Sequence, residues 1–324
     1  MSDKIRWGII GCGKVTEVKS GPAYKQVENF EIVAVMRRNL ELAKDYAERH
    51  HIKNYCNDAD ELINAANVDA IYIATPPDTH HYYALKVAEA GKICCIEKPM
   101  APNYVECLEI NNTFQSKGIP LYVAYYRRSL PRFKKVKSLI DDNKIGEIRH
   151  VSWQLSKPSN DIDISKAYNW RTDSKIAYGG YFDDLASHGL DLFTYLLGNV
   201  SDVFGISTNQ QKLYSAKDAV SATWLHNTGV TGSGYWNFGA FSREDKVEII
   251  GRKGKITFSV FEEEPIVLLT LKERQEFFIE NPKHIQLYHV DNMRKDLDGV
   301  LKHPSNGDSA THTAWVMDKI FGKL

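Results

Sequence analysis

Lys4-Ile5-Arg6-Trp7-Gly8-Ile9-Ile10-Gly11-Cys12-Gly13-Lys14-Val15-Thr16 decides how the rest of the chain is read. A short apolar run ends in Gly-x-Gly and turns into a candidate helix. Strand, tight turn and helix N-terminus, in that order, are what the pyrophosphate of a dinucleotide needs. Gly11 permits the turn. Gly13 leaves no Cβ between backbone and phosphate, and the first N–H groups of the helix face the anion. Gly11, Cys12, Gly13, Lys14 and Val15 are therefore candidate cofactor contacts. The third position of the G-x-G-x-x-G/A fingerprint is Thr16, larger than the pattern prefers. Glycine turns after strands are common, so the flanks carry the decision.

Downstream, Gly21-Pro22 breaks the first helix. Phe30–Met36 is an apolar strand, buried on both faces. It ends in Arg37-Arg38-Asn39. An NAD site places an acid about 20 residues past the glycines to hold the ribose 2′-OH. Here two arginines stand instead, and a guanidinium forks onto phosphate oxygens. This favours NADP(H), with NAD(H) possible. Asn39 caps a helix over Leu40–Arg49, and Asp58 with Glu61 forms a capping box ahead of Leu62-Ile63. Further strands are read at Val68–Thr75, Ile93–Glu97 and Pro120–Tyr125, with helices at Tyr82–Ala90 and Asn103–Lys117 closed by Gly91 and Gly118. Alternating strands and helices mean a parallel, doubly wound sheet, whose ligands bind at the carboxyl ends of the strands. Gly11–Gly13, Arg37-Arg38, Thr75-Pro76, Glu97 and Lys98 all occupy such ends. His80 closes the turn after Thr75-Pro76. It reads as a loop or cap residue and as a candidate near the nicotinamide.

The chain has 324 residues, 43% hydrophobic and 25% charged, with 41 Lys+Arg against 41 Asp+Glu. That length implies two domains. Zero net charge argues against nucleic acid and against a polybasic membrane anchor. No apolar signal region or spanning run is read, so a cytoplasmic protein is expected. Cys12, Cys56, Cys94, Cys95 and Cys107 show no C-x-x-C spacing and are expected as buried, reduced thiols. No cluster of His, Asp and Glu calls for a metal.

From about Arg128 the alternation stops. Phe133, Val136, Leu139 and Ile140 fall at helical spacing, Ile148–Ser156 reads as a strand, and Lys157–Asn169 as a polar loop. Six runs follow, at Val200–Thr208, Ala219–His226, Thr231–Phe241, Lys246–Ile250, Ile256–Phe261 and Ile266–Leu271. Short turns between them imply an antiparallel sheet. Val290–Leu301 and Ser309–Phe321 are helical. Gly179-Gly180 precedes a helix from about Asp183, on which Asp184 and His188 stand four apart on one face. Oxidising an alcohol carbon by hydride loss requires its hydroxyl proton to be removed, and histidine titrates in the range that suits this. A carboxylate can orient the imidazole. Lys98, at a strand end, can stabilise developing alkoxide charge or exchange the proton itself. Tyr126, Trp170 and Arg171 are candidate substrate contacts. Trp170 as core and Arg171 as an ion-pair partner is an equal alternative.

The motifs Gly11-Cys12-Gly13, Ala74-Thr75-Pro76-Pro77 with Asp78-Thr79-His80, Glu97-Lys98-Pro99, Tyr126-Arg127-Arg128, Trp170-Arg171, Gly179–Asp191 and Gly251–Ile256 together resemble the Gfo/Idh/MocA oxidoreductases, the group of glucose–fructose oxidoreductase and inositol dehydrogenase. The resemblance covers nearly the whole chain. It implies a Rossmann domain at 1–125 that binds NAD(P). It further implies an α+β domain at 126–324 with a large, mainly antiparallel open sheet, which binds substrate and makes dimer or tetramer contacts. It implies a dehydrogenase or reductase acting on sugars, polyols or related hydroxy compounds. Lys98, Asp184 and His188 match the family's catalytic positions, with His188 assigned first and Lys98 as its partner. The family's Lys-Pro bond is often cis, which makes Lys98-Pro99 a candidate. Two alternatives remain within the same scaffold: an NAD-using glycosidase or lyase with no net redox change, and a non-enzymatic nucleotide-sensing regulator.

Overall fold

The computed structural model describes residues 4–324. They form two compact units. The first holds the chain up to Leu130 together with Pro282–Thr311, and the second holds Pro131–Asn281 and His312–Leu324.

In the first unit, strands β1 (Ile5–Ile10), β2 (Phe30–Met36), β3 (Asn54–Cys56), β4 (Ala70–Ile73), β5 (Ile93–Ile96) and β6 (Leu121–Val123) form one sheet in the order β3-β2-β1-β4-β5-β6. Every neighbouring pair is parallel. Helices α1 (Lys14–Val18), α2 (Gly21–Gln26), α3 (Leu40–Arg49), α4 (Ala59–Asn64), α5 (His80–Glu89) and α6 (Tyr104–Ser116) make the crossovers. All four residues of β4 are buried, as expected of a strand covered on both faces. Ile10 pairs with Met36 and Ile73, Ile73 with Ile96, and Ile96 with Val123, so the carboxyl ends of five strands are level. The winding reverses between β1 and β4, beside Gly11, which makes this edge the switch point.

The second unit begins with α7 (Pro131–Asp141), β7 (Ile148–Ser156) and the one-turn α8 (Asp161–Ile164). After α9 (Ser187–Leu197) come β8 (Val200–Thr208), β9 (Ala219–His226), β10 (Thr231–Asn237), β11 (Glu244–Gly251), β12 (Gly254–Phe258), β13 (Ile266–Thr270) and β14 (Arg274–Phe277). The eight strands run β14-β13-β12-β11-β7-β10-β9-β8. Only β7 and β10 pair in parallel. Val151, Trp153, Leu155, Trp224, Trp236, Val247 and Ile249 form the buried face. A Cβ on Gly189 would come within 2.3 Å of the Trp153 ring, so only glycine lets α9 press onto that face. Trp153 Nε1 donates to Asp245 Oδ1 at 2.9 Å, which satisfies the indole inside the core.

The units divide after Leu130 rather than after residue 125, and Pro282–Thr311 belongs with the first unit. Helix α10 (Leu287–Leu297) buries Val290 and Met293 in the cluster of Trp7, Tyr24, Tyr72 and Cys95. Tyr122 donates to Asp296 Oδ2 at 2.8 Å, and Ser305 Oγ donates to the Val123 carbonyl at 2.7 Å. Helix α11 (Gly307–Ile320) follows. All five cysteines are buried and none is in a disulfide. Among the described residues no helix is long and apolar enough to cross a membrane. No group of three or more His, Cys, Asp and Glu among them could hold a metal.

Candidate active site

Gly11 takes φ +90°, and a Cβ there would come within 2.6 Å of Thr75 Cγ2 and 2.9 Å of Thr75 N, so the turn is pressed against the end of β4. Its N–H bonds to Met36 O at 2.9 Å, tying the turn to the end of β2. Gly13 differs. A Cβ there would meet nothing nearer than Gly11 O at 3.9 Å, so the protein leaves open the space that a methyl would fill. An open space of this kind suits a phosphate. Thr16 is fully buried and caps the turn: its hydroxyl accepts from Gly13 N at 2.9 Å and donates to Gly13 O at 2.8 Å. The Cys12 side chain is buried, and burial pushes its thiol up to about 11. Only the backbone of Cys12 is therefore left to face a ligand. Helix α1 has five residues, so its macrodipole is small and the anion depends on individual N–H groups.

Arg37 and Arg38 follow β2. The positive charge of Arg37 bears on the Cys12 thiol and that of Arg38 on Tyr83. Among the described residues neither guanidinium is paired with a carboxylate. Other arginines of this unit are paired: Arg6 with Asp69 at 2.7 Å and Arg49 with Glu17 at 2.7 Å.

At the ends of β4 and β5 the polar groups form a frame. His80, fully buried, is part of this frame. Its Nε2 lies 2.8 Å from Thr75 O and its Nδ1 3.0 Å from Pro99 O, so both ring nitrogens are used to hold the two loops together. Burial holds its pKa below the usual histidine range. Glu97 belongs to the same frame. Its Oε1 accepts from Tyr72 OH at 2.5 Å and from Gln286 Nε2 at 2.7 Å, and its Oε2 accepts the Lys98 backbone N–H at 3.3 Å. It is a buried support for the residue after it. Lys98 itself is half-buried, and Lys98-Pro99 is cis. Thr75 and Pro76 stay half-buried at the same edge. Tyr126 is buried, with the Arg127 guanidinium 5.0 Å from its ring centre.

In the second unit the helix expected from about Asp183 is interrupted. Phe182–Ala186 is a π-turn, and α9 proper begins at Ser187. Such bulges re-aim side chains and concentrate at functional sites. Asp183 turns back to accept the Gly179 N–H at 2.8 Å, and burial pushes its carboxyl up to about 6. Asp184 points elsewhere: its Oδ2 accepts from Arg171 Nε at 3.0 Å. The Arg171 guanidinium lies 4.3 Å from the Trp170 ring centre, so Trp170, Arg171 and Asp184 form one stack. Trp170 is thus half-exposed rather than core, and Arg171 is an ion-pair partner as well as a candidate contact. His188, in the first turn of α9, is 4% exposed, with its ring edge-on to Phe261 at 6.0 Å.

Two groups escaped the sequence. Gln286 is 189 positions from Glu97 in the chain, and no local pattern announces it. Lys157 stood at the head of a segment read only as a polar loop. It lies with its ammonium 3.8 Å from the Tyr181 ring centre.

The N-terminal model of the Gfo/Idh/MocA family, described as an oxidoreductase family with an NAD-binding Rossmann fold, matches residues 5–125. The family's C-terminal domain model matches residues 133–257. An oxidoreductase, P35, of Formosa agariphila is 39% identical over 320 residues, covering 98% of this chain and 97% of that protein. A trans-1,2-dihydrobenzene-1,2-diol dehydrogenase of Sus scrofa is 26% identical over 230 residues, covering 71% of this chain and 67% of that protein. Among solved structures, a levoglucosan dehydrogenase in complex with NADH and levoglucosan superposes with a TM-score of 0.86 at 22% identity, covering 99% of this chain and 97% of that one. Matched across both halves and along nearly its full length, the chain belongs to the Gfo/Idh/MocA family of oxidoreductases.

Proposed function

We propose that this oxidoreductase prefers NADP(H) and transfers a hydride between the cofactor and a hydroxyl-bearing carbon of a sugar, polyol or related compound. The observation that carries the cofactor preference is the Arg37-Arg38 couple after β2, without a carboxylate partner among the described residues, where an NAD site would hold an acid. The named relatives, a dihydrodiol dehydrogenase and a levoglucosan dehydrogenase, support hydroxyl chemistry.

The bound nicotinamide supplies the hydride acceptor or donor. The chain supplies the rest. His188 takes the hydroxyl proton in oxidation and returns it in reduction. Asp184, held by Arg171, fixes the polar wall on which substrate hydroxyls are received. Lys98, set at the end of β5 by the Glu97 frame, stabilises negative charge on the reacting oxygen. Trp170 and Tyr126 bound the substrate. A second copy of the chain covers the open face of the eight-stranded sheet, where Phe204, Ile206, Leu225 and Tyr235 are exposed together on β8, β9 and β10.

Fluorescence titration with NADPH and NADH tests the cofactor reading. Losing two charge-assisted contacts in Arg37→Ala plus Arg38→Ala weakens NADPH by about 100-fold or more and leaves NADH within about 3-fold. Tight NADH binding in the wild type, unchanged alongside NADPH in the variant, contradicts the phosphate role. Net cofactor turnover in the same assay separates dehydrogenation from a redox-neutral lyase reaction.

A further inference from the structure

Lys157 extends β7 and is held in place by its backbone: its N–H bonds to Asn237 O at 3.0 Å and its carbonyl accepts from Ala240 N at 3.1 Å. Its ammonium lies 3.8 Å from the Tyr181 ring centre and 5.7 Å from that of Phe238. Two aromatic faces suit a cation but leave its N–H donors without oxygen partners. The carboxylates that bear on it are already engaged. Asp163 accepts Tyr181 OH at 2.7 Å, and Asp184 accepts Arg171 Nε at 3.0 Å. Among the described residues no carboxylate lies within ion-pair distance of Lys157. The two other charges acting on it, Arg171 and Arg243, are cations. Arg243 is bound to Glu262, whereas Arg171 gives only its Nε to Asp184 and keeps its outer nitrogens free among the described residues. A partly buried cation whose nearest carboxylates stand beyond ion-pair distance gains from a closer counter-charge supplied by something bound. Burial lowers the lysine's pKa and the two carboxylates oppose it, so the site gains most when an anion arrives.

We infer that Lys157 is a specificity residue that reads a carboxylate on the substrate, with Arg171 beside it, and that the substrate is an acidic sugar of the uronate class. This rests on the proposed reaction, since Tyr181 immediately precedes the π-turn that carries Asp184. Neutral sugars leave the ammonium unmatched.

The test compares the NADP-loaded wild type with Lys157→Met and Lys157→Arg, using D-glucuronate and D-galacturonate against D-glucose and D-galactose. Glucuronate binding to the NADPH-loaded protein is measured by calorimetry. The wild type favours the uronates by at least about 10-fold in kcat/KM. Lys157→Met loses about 10- to 100-fold on the uronates, carried by KM, and stays within about 3-fold on the neutral sugars. Lys157→Arg keeps most of the preference. Absence of both a uronate preference and saturable glucuronate binding overturns the inference, as does an equal fall on acidic and neutral sugars in Lys157→Met. Turnover of neutral sugars without glucuronate binding contradicts this inference alone. Glucuronate binding that Lys157→Met abolishes, without net cofactor turnover, keeps the anion site and overturns the reaction.

Discussion

His188→Asn lowers kcat in the oxidation direction by about 100- to 10,000-fold, the span usual for loss of a positioned general base. Asparagine keeps a polar group in a position that is 4% exposed but cannot accept the hydroxyl proton. Cofactor dissociation constants stay within about 3-fold, because only the proton-accepting group is altered. The acidic limb of the kcat/KM profile disappears with the imidazole, because the wild type must be deprotonated there to act. Steady-state kinetics across pH, with NADPH titration as a binding control, checks each part. A variant that keeps the acidic limb and loses activity only through KM would make His188 a binding residue.

Lys98→Met removes the positive charge proposed to act on the reacting oxygen and lowers kcat by about 100- to 1,000-fold. The loss reflects a missing transition-state interaction, so kcat and kcat/KM fall together. Methionine preserves the aliphatic stem, and Glu97 remains held by Tyr72 and Gln286. Stability therefore changes little, which thermal unfolding of the variant checks. If both groups serve one hydroxyl, the double variant is far less impaired than the product of the single losses. Strictly multiplicative losses would mean that the two residues act in separate steps.

Much of this was legible in the chain because local chemistry and tertiary demand agree. The strands Phe30–Met36, Ile148–Ser156, Val200–Thr208 and Ala219–His226 begin and end where apolar patterning places them. Asn39 caps as read, accepting from Leu42 N at 3.1 Å, whereas Asn103, read as the first helical residue, is itself a cap that accepts from Glu106 N at 2.9 Å. Asp58 also caps, but through Asp60 N at 2.8 Å rather than by the box with Glu61. Two edge strands went unread. Asn54-Tyr55-Cys56 and Arg274-Gln275-Glu276-Phe277 each pair on one side only and carry mainly exposed residues, so no apolar alternation marks them. The π-turn at Phe182–Ala186 was hidden because one extra residue per turn leaves no compositional trace. The helix read over Val290–Leu301 runs over Leu287–Leu297, and nothing local showed which core Val290 and Met293 would enter. The same limit concealed the partners of Glu97 and the aromatic seat of Lys157, which depend on contacts between distant segments.

Lys98 and His188 are proposed to act on the same oxygen of a substrate bound beside the nicotinamide. A crystal structure of the ternary complex, with NADP⁺ and a dead-end substrate analogue, tests it most directly. The expected result has Lys98 Nζ and a His188 ring nitrogen each about 3 Å from one substrate oxygen, with Arg37 and Arg38 on the 2′-phosphate. A complex in which either side chain lies beyond hydrogen-bond reach of that oxygen, or points into a cavity without substrate, would contradict it.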